Sequence, residues 1–448
     1  MRTDLLAHPG SDDYAESTRP HNSSVVQRPL AVARPTSAKD VADVVRWASD
    51  QNLTVAVQAS GHGAGAPIRP DQILVDTSGM TDTDIDPQAR VARVGAGATW
   101  AHVNSEAQRH GLLGLAGSSP TVAVAGYTFF GGVGWLVRPH GMASSALLAV
   151  EYIDGEGRIR RAAPDATDPV DREALWAFRG GGGVGVATRL EFELVAPPAM
   201  WAGYQLWHID ALEPVVTAWS AAMDVVGDAL TTSISVLHTP PGNGPFPPEL
   251  RGVPIVHLAF ASTAGEAAAA PLLDALRGAP RPVVDDGWAP ADSARLSSIH
   301  LDPPQPLPAL GIGRWLGPDT PTRALDMLVP VASPDSALAM IELRNTANRA
   351  VSRDGALTAV PAPFLVHAVG LSTEPSVRQA TEEGLSLVRA TSSTVDVGRA
   401  ATAFAEGRAG IEDGLPSTQL KRLAAVRAAI DPDHRIAASR MLADSGAV

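Results

Sequence analysis

Cysteine is absent from the 448 residues. Its absence excludes disulfides, thiolate metal sites and a cysteine nucleophile, and leaves the redox compartment unreadable from thiols. Tyrosine is scarce, with only Tyr14, Tyr127, Tyr152 and Tyr204. Basic residues are outnumbered, 35 Lys and Arg against 48 Asp and Glu, for a net charge of −13. An acidic surface repels phosphate backbones and no basic patch interrupts it, so a nucleic-acid partner is excluded. No run approaches the ~18–20 apolar residues of a membrane span. Residues 1–18 lack the apolar region of a signal peptide, so the expectation is a cytoplasmic enzyme with no membrane partner. Walker loops, H-E-x-x-H and G-x-S-x-G are missing, and no histidine–carboxylate cluster stands out, so no metal is expected.

What is present suits a globular protein, with 45% hydrophobic and 19% charged residues. The length predicts two or three folding units at roughly 100–200 residues each. Three zones divide the chain at 1–195, 196–397 and 398–448. In the first, SAKDVADVVRWASDQ reads as a helix capped by Ser37, with Val41, Val44, Val45 and Ala48 at helical spacing. Short strands TVAVQA, QILVDT and RVARVG follow, then a helix near 99–110 that Gly111 ends. The second zone opens at Pro197-Pro198 and carries the strand-like runs TTSISVLH, PIVHLAFAST and PFLVHAVGLST between alanine-rich helices. That pattern predicts one antiparallel sheet with helices on one face. The third zone holds the helix STQLKRLAAVRAAI, closed by Asp431-Pro432. The fold class is α+β.

Three glycine segments carry the chemical signal. Ala59-Ser60-Gly61-His62-Gly63-Ala64-Gly65 leaves a strand, where glycines let backbone N–H groups converge on an anion such as a diphosphate. From Gly114 to Gly141, the small or hydroxylated Gly117, Ser118, Ser119 and Thr121 supply donors. Gly126, Gly131, Gly132 and Gly134 in the same stretch admit a flat ligand or a phosphate to the backbone. Each segment alone also suits an ordinary turn. Gly180-x-Gly182-x-x-Gly185 matches a dinucleotide fingerprint formally, but a helix precedes it and a strand follows. A Rossmann loop needs the reverse order, so NAD is rejected.

Together these segments resemble the FAD-linked oxidases of the berberine-bridge-enzyme-like group, in the vanillyl-alcohol oxidase/p-cresol methylhydroxylase superfamily. The resemblance rests on the GH loop, RVGAGATW, GSSPTVAVAGYTFFGGVGWLVRPHGM and LWAFRGGGGVGVATRLEFELV, and more weakly on IELRNTANRA and RLAAVRAAIDPDHRI. It implies a two-domain FAD-binding fold, with an antiparallel-sheet substrate domain and a C-terminal segment returning to the FAD domain. It also implies that Ser60, Gly61, His62, Gly63 and Ala64 cradle the pyrophosphate. Gly117, Ser118, Ser119, Thr121, Val122, Gly126, Tyr127 and Thr128 would border the flavin, with Gly185 and Val186 at the adenosine side or ring edge. His62 is the position usually bonded to the flavin. The second, cysteinyl bond of bicovalent relatives is impossible, because Ser119 stands at that position.

Two departures bear on the reaction. Phe129-Phe130-Gly131 replaces a run of smaller residues, which would narrow the flavin groove or reposition the loop. Ala401 and Ala403 stand where the group usually places a Tyr base and an Asn. The proton acceptor is then sought among Tyr204, His238, His257, His367 and Glu342, each of which also suits a structural role. Trp135, Trp176 and Trp315 read as packing residues. Three functions stay open: an oxidase of a small organic substrate, with molecular oxygen as acceptor; a flavin-retaining enzyme of redox-neutral chemistry; or a flavin-binding protein without turnover. Substrate and oligomeric state are not legible.

Overall fold

The computed structural model describes residues 5–242, 244–286 and 288–442. Near the N-terminus the helix Ala38–Asp50 starts where Ser37 Oγ accepts the Asp40 N–H at 3.2 Å and the Asp40 carboxylate returns to the Ser37 hydroxyl at 2.8 Å. Its stripe of Val41, Val44, Val45 and Ala48 is fully buried against a sheet of four strands. Three of these, Ala31–Ala33, Gln72–Asp76 and Thr54–Gln58, run parallel, and Leu6–Ala7 adds an antiparallel edge. A second, antiparallel sheet runs in the order Thr83–Asp86, Val91–Gly95, Val186–Glu193, Leu147–Ile153, Ile159–Ala162.

The largest sheet has nine strands, all antiparallel where they pair. Its central order is Trp201–His208, Pro254–Ser262, Leu230–His238, Leu338–Asn345, Phe364–Leu371, Ala309–Leu316. Side chains alternate across a strand, so each strand sends two different sets to the two faces. Ile234, Val236, Leu258, Phe260, Ile341, Leu343 and Val366 face the helices Leu212–Ala222, Thr320–Leu328 and Pro375–Ser392. Emptying one such site, as in Leu343→Ala, costs about 2–5 kcal/mol. The other face carries the polar residues of the same strands and looks toward the glycine loops. This is the α+β arrangement expected, helices on one face included.

The strand Asp396–Ala400 joins the large sheet's edge, so the sheet crosses the expected division at 397/398. Beyond it the chain returns to the first zone. The helix Ser417–Ile430 docks on the helix Pro169–Phe178, with Arg422 forked onto Glu173 at 2.8 Å and lying 4.1 Å over the Trp176 ring. No described helix is long and apolar enough to cross a membrane.

Candidate functional site

The loop after the strand Thr54–Gln58 fixes His62 by both ring nitrogens. Ser60 Oγ accepts the Ala123 N–H at 3.1 Å and lies 2.9 Å from His62 Nδ1. His62 Nε2 faces Thr121 Oγ1 at 3.2 Å. The His21 ring stacks on it at 3.7 Å and 12°. Burial, with His21 adding to it, pushes His62 down to about 3 against the pull of Asp302. It is a neutral imidazole at every ordinary pH.

The positions expected to touch a cofactor divide into two sets. Ser60, Gly61, His62, Ala64, Gly117, Ser118, Ser119, Val122, Tyr127 and Gly185 are half-buried, and Gly63, Thr121 and Gly126 are exposed. Gly131, Gly132, Gly134, Thr128 and Val186 are buried. A Cβ on Gly134 would sit 1.8 Å from the Ala116 carbonyl oxygen, and one on Gly132 would sit 2.5 Å from the Tyr127 ring. These glycines let loops pack backbone to backbone, while Val186 belongs to the core beneath the parallel sheet. Gly126 by contrast meets nothing within 4 Å.

The Phe129-Phe130 pair also resolves. Phe129 enters the core against Phe178, rings 4.9 Å apart. Phe130 turns toward the C-terminal segment, under the Arg440 guanidinium at 4.7 Å, and its carbonyl accepts the Thr402 hydroxyl at 2.6 Å.

The face of the large sheet away from its helices is polar and buried. In register across the strands run His257, Ser235, Glu342, His367 and Gly313, one row of one face. Two residues along, Arg344 sends Nε and Nη2 to Glu342 Oε1 at 2.9 and 2.8 Å. His300 places Nε2 3.4 Å from Glu342 Oε2 and Nδ1 2.7 Å from Asp302 Oδ1. Asp302 also accepts from the Ser118 hydroxyl, so the chain of contacts runs from the sheet to the glycine loop. Burial alone would lower the His300 pKa, but the two carboxylates outweigh it and push it up to about 10. Burial raises Glu342, yet Arg344 and His300 hold it well below the ordinary carboxylate range. Leu301 between His300 and Asp302 takes φ +64°, a left-handed turn that costs a branched residue energy and brings both side chains to one place.

Of the five sequence-derived bases, Tyr204, His257, His367 and Glu342 share this face. His238 does not. It lies on the helix-covered side, its Nε2 2.7 Å from the Val331 carbonyl oxygen, which takes it out of the group. Sequence reasoning missed His21, His300, Asp302, Arg344, Glu406 and Arg440. The pair His300-Leu301-Asp302 at the head of Pro303-Pro304 was the one local signal, a polar pair fixed by a stiff connector.

Comparison with known proteins decides the cofactor. The family description "FAD binding domain" matches residues 29–163. That segment is similar to an FAD binding domain. The match spans the GH loop and the stretch from Gly114 to Gly141. The chain is 32% identical over 216 residues to (R)-6-hydroxynicotine oxidase of Paenarthrobacter nicotinovorans, covering 47% of this chain and 46% of that protein. It therefore spans about half the length of the curated relatives it matches. Over whole chains the fold matches 6-hydroxy-D-nicotine oxidase of Arthrobacter nicotinovorans, with TM-score 0.78, 22% identity and coverage of 96% and 95%. It also matches a berberine-bridge-enzyme-like protein of Physcomitrella patens, with TM-score 0.81, 16% identity and coverage of 98% and 96%. The resemblance seen in the glycine segments thus extends to the fold around the FAD binding domain.

Proposed function

We propose that the chain is an FAD-dependent oxidase of a small organic substrate, with molecular oxygen as the final acceptor. In this reading residues 1–195 hold FAD, the sheet of 196–397 presents the substrate, and 398–448 closes the site. The observation that carries it is the polar row on the sheet face away from the helices, joined through His300, Asp302 and Ser118 to the glycine loop. The residues suit FAD: Gly126 opens onto free space, and the Tyr127 hydroxyl and Thr128 Oγ1 are buried without a partner. FAD bound there supplies a two-electron acceptor, and the protein orients the substrate against it.

His62 is the attachment point in this reading. A neutral imidazole is the nucleophilic form, and with no cysteine in the chain a second bond is excluded. The oxidase reading is tested by mixing the purified protein anaerobically with benzyl alcohol, benzylamine and D-glucose, then admitting air. Bleaching of the flavin band with peroxide release supports oxidation. Conversion of a probe with the flavin still oxidised would favour redox-neutral chemistry, the second reading that Ala401 and Ala403 motivate.

A further inference from the structure

The reaction proposed above needs a proton acceptor, and Ala401 and Ala403 stand where the family usually supplies a Tyr and an Asn. Ala401 is buried, and its Cβ lies 3.0 Å from where a side chain on Gly313 would begin. Nothing at that position can take a proton. The same segment, three to five residues on, reaches the sheet with Phe404 and Glu406.

Glu406 Oε1 lies 3.1 Å from His367 Nε2. An ionised carboxylate only accepts, so Nε2 carries the hydrogen and Nδ1 holds the lone pair. His367 Nδ1 is buried and has no partner in the structure. The Phe404 ring packs on the imidazole, centroids 4.7 Å apart. This is the geometry of a histidine base held by a carboxylate on its far nitrogen. Burial raises the Glu406 carboxyl, but His367 and, more weakly, Arg440 hold it below the ordinary range, so the orienting group is charged.

The other residues of the face serve less well. Glu342 is held as a carboxylate by Arg344, forked on one oxygen, and by His300 3.4 Å from the other, which makes it a weak proton acceptor. His257 gives Nε2 to the Ile299 carbonyl at 2.9 Å, and burial with His300 beside it pushes its pKa down to about 4. Tyr204 lies by His257, rings 5.9 Å apart, and burial raises its hydroxyl above the usual phenol range.

We propose that His367 accepts the substrate's proton, with Glu406 as the positioning residue that fixes its tautomer, in the place the alanine at 401 leaves vacant. The proposal rests on the oxidase reading. A C–H hydrogen leaves the substrate with both bonding electrons for FAD. The proton of the adjacent O–H or N–H passes to His367 Nδ1, and a C=O or C=N bond remains. Nδ1 gives up that proton when oxygen takes the electron pair as hydrogen peroxide. The charged groups around the imidazole are Glu406 from the C-terminal segment, Glu342 from the paired strand, and Arg344 and Arg440 behind Phe404 and Glu406.

Two measurements test it. Nitrogen NMR of histidine-labelled holoprotein should show, at neutral pH, one imidazole protonated at Nε2 and bare at Nδ1 that vanishes in His367→Gln. Glu406→Gln should release the tautomer, so that an Nδ1-protonated form appears, because an amide can donate to Nε2 as well as accept from it. A proton on Nδ1 in the wild type at neutral pH, or a tautomer indifferent to Glu406→Gln, overturns the assignment. In anaerobic stopped flow with whichever probe reduces the wild-type flavin, His367→Gln should slow reduction by ~10²–10⁴-fold. Added imidazole should restore part of the rate, and Glu406→Asp should retain more than Glu406→Gln. A flavin-replete His367→Gln that is reduced at the wild-type rate refutes the base. If no probe reduces the wild-type flavin, the oxidase reading fails first and the proposal falls with it.

Discussion

Replacing His300 by alanine should destabilise the protein by about 3–5 kcal/mol, the usual cost of removing one partner from a buried ion pair. The imidazole is 5% exposed and stands between two carboxylates, 2.7 Å from Asp302 and 3.4 Å from Glu342. Glu342 keeps Arg344 in the variant, whereas Asp302 is left with the Ser118 hydroxyl alone. The Asp302 side chain is 26% exposed and recovers part of its solvation, so the penalty sits at the low end of that range and Asp302→Asn in the same background should recover some of it. With a urea slope of about 3 kcal/mol/M, the midpoint should fall by about 1–2 M, read by circular dichroism. The pH dependence has a definite sign. The folded-state pKa is pushed up to about 10 from an ordinary value near ~6.5, so the stabilisation is complete below that lower value. It declines as pH rises and is gone beyond about 10. The gap between wild type and His300→Ala should accordingly narrow between those limits. A gap under about 1 kcal/mol at pH 6, or one that stays constant up to pH 10, would refute a charged His300.

Leu301→Val should cost at least about 1 kcal/mol more than Leu301→Gly in the same melts, because a β-branched residue resists φ +64° and glycine does not. Gly134→Ala should destabilise by about 1–3 kcal/mol and lower flavin content, since its Cβ collides with the Ala116 carbonyl. Gly126→Ala should instead stabilise the helix Val124–Phe129 by about 0.5–1 kcal/mol while weakening FAD uptake, as measured by fluorescence quenching.

The elements that were legible are those set by local chemistry. Ser37 capped its helix, Asp431-Pro432 closed the C-terminal one, and the runs TTSISVLH, PIVHLAFAST and PFLVHAVGLST marked three strands of the large sheet. The glycine segments were legible as loops, but not which of their glycines are buried. Gly126 and Gly134 look alike in sequence, and only tertiary packing puts the Ala116 carbonyl against one of them. His238 and His257 both sit in apolar strands, and a one-residue difference in parity sends them to opposite faces. The network of His300, Asp302, Glu342 and Arg344 joins residues up to 44 positions apart, and Glu406 meets His367 from 39 positions away. No local pattern encodes such a meeting. The sheet's register creates it.

The visible spectrum of the purified protein, before and after acid precipitation, tests the central claim most directly. The protein should be yellow with a flavin spectrum, its pellet should keep the colour, and the colour of a His62→Ala variant should pass to the supernatant. A wild-type pellet that loses its flavin would make His62 a neighbour of FAD rather than its attachment point. A colourless protein that also fails to take up added FAD would contradict the account as a whole.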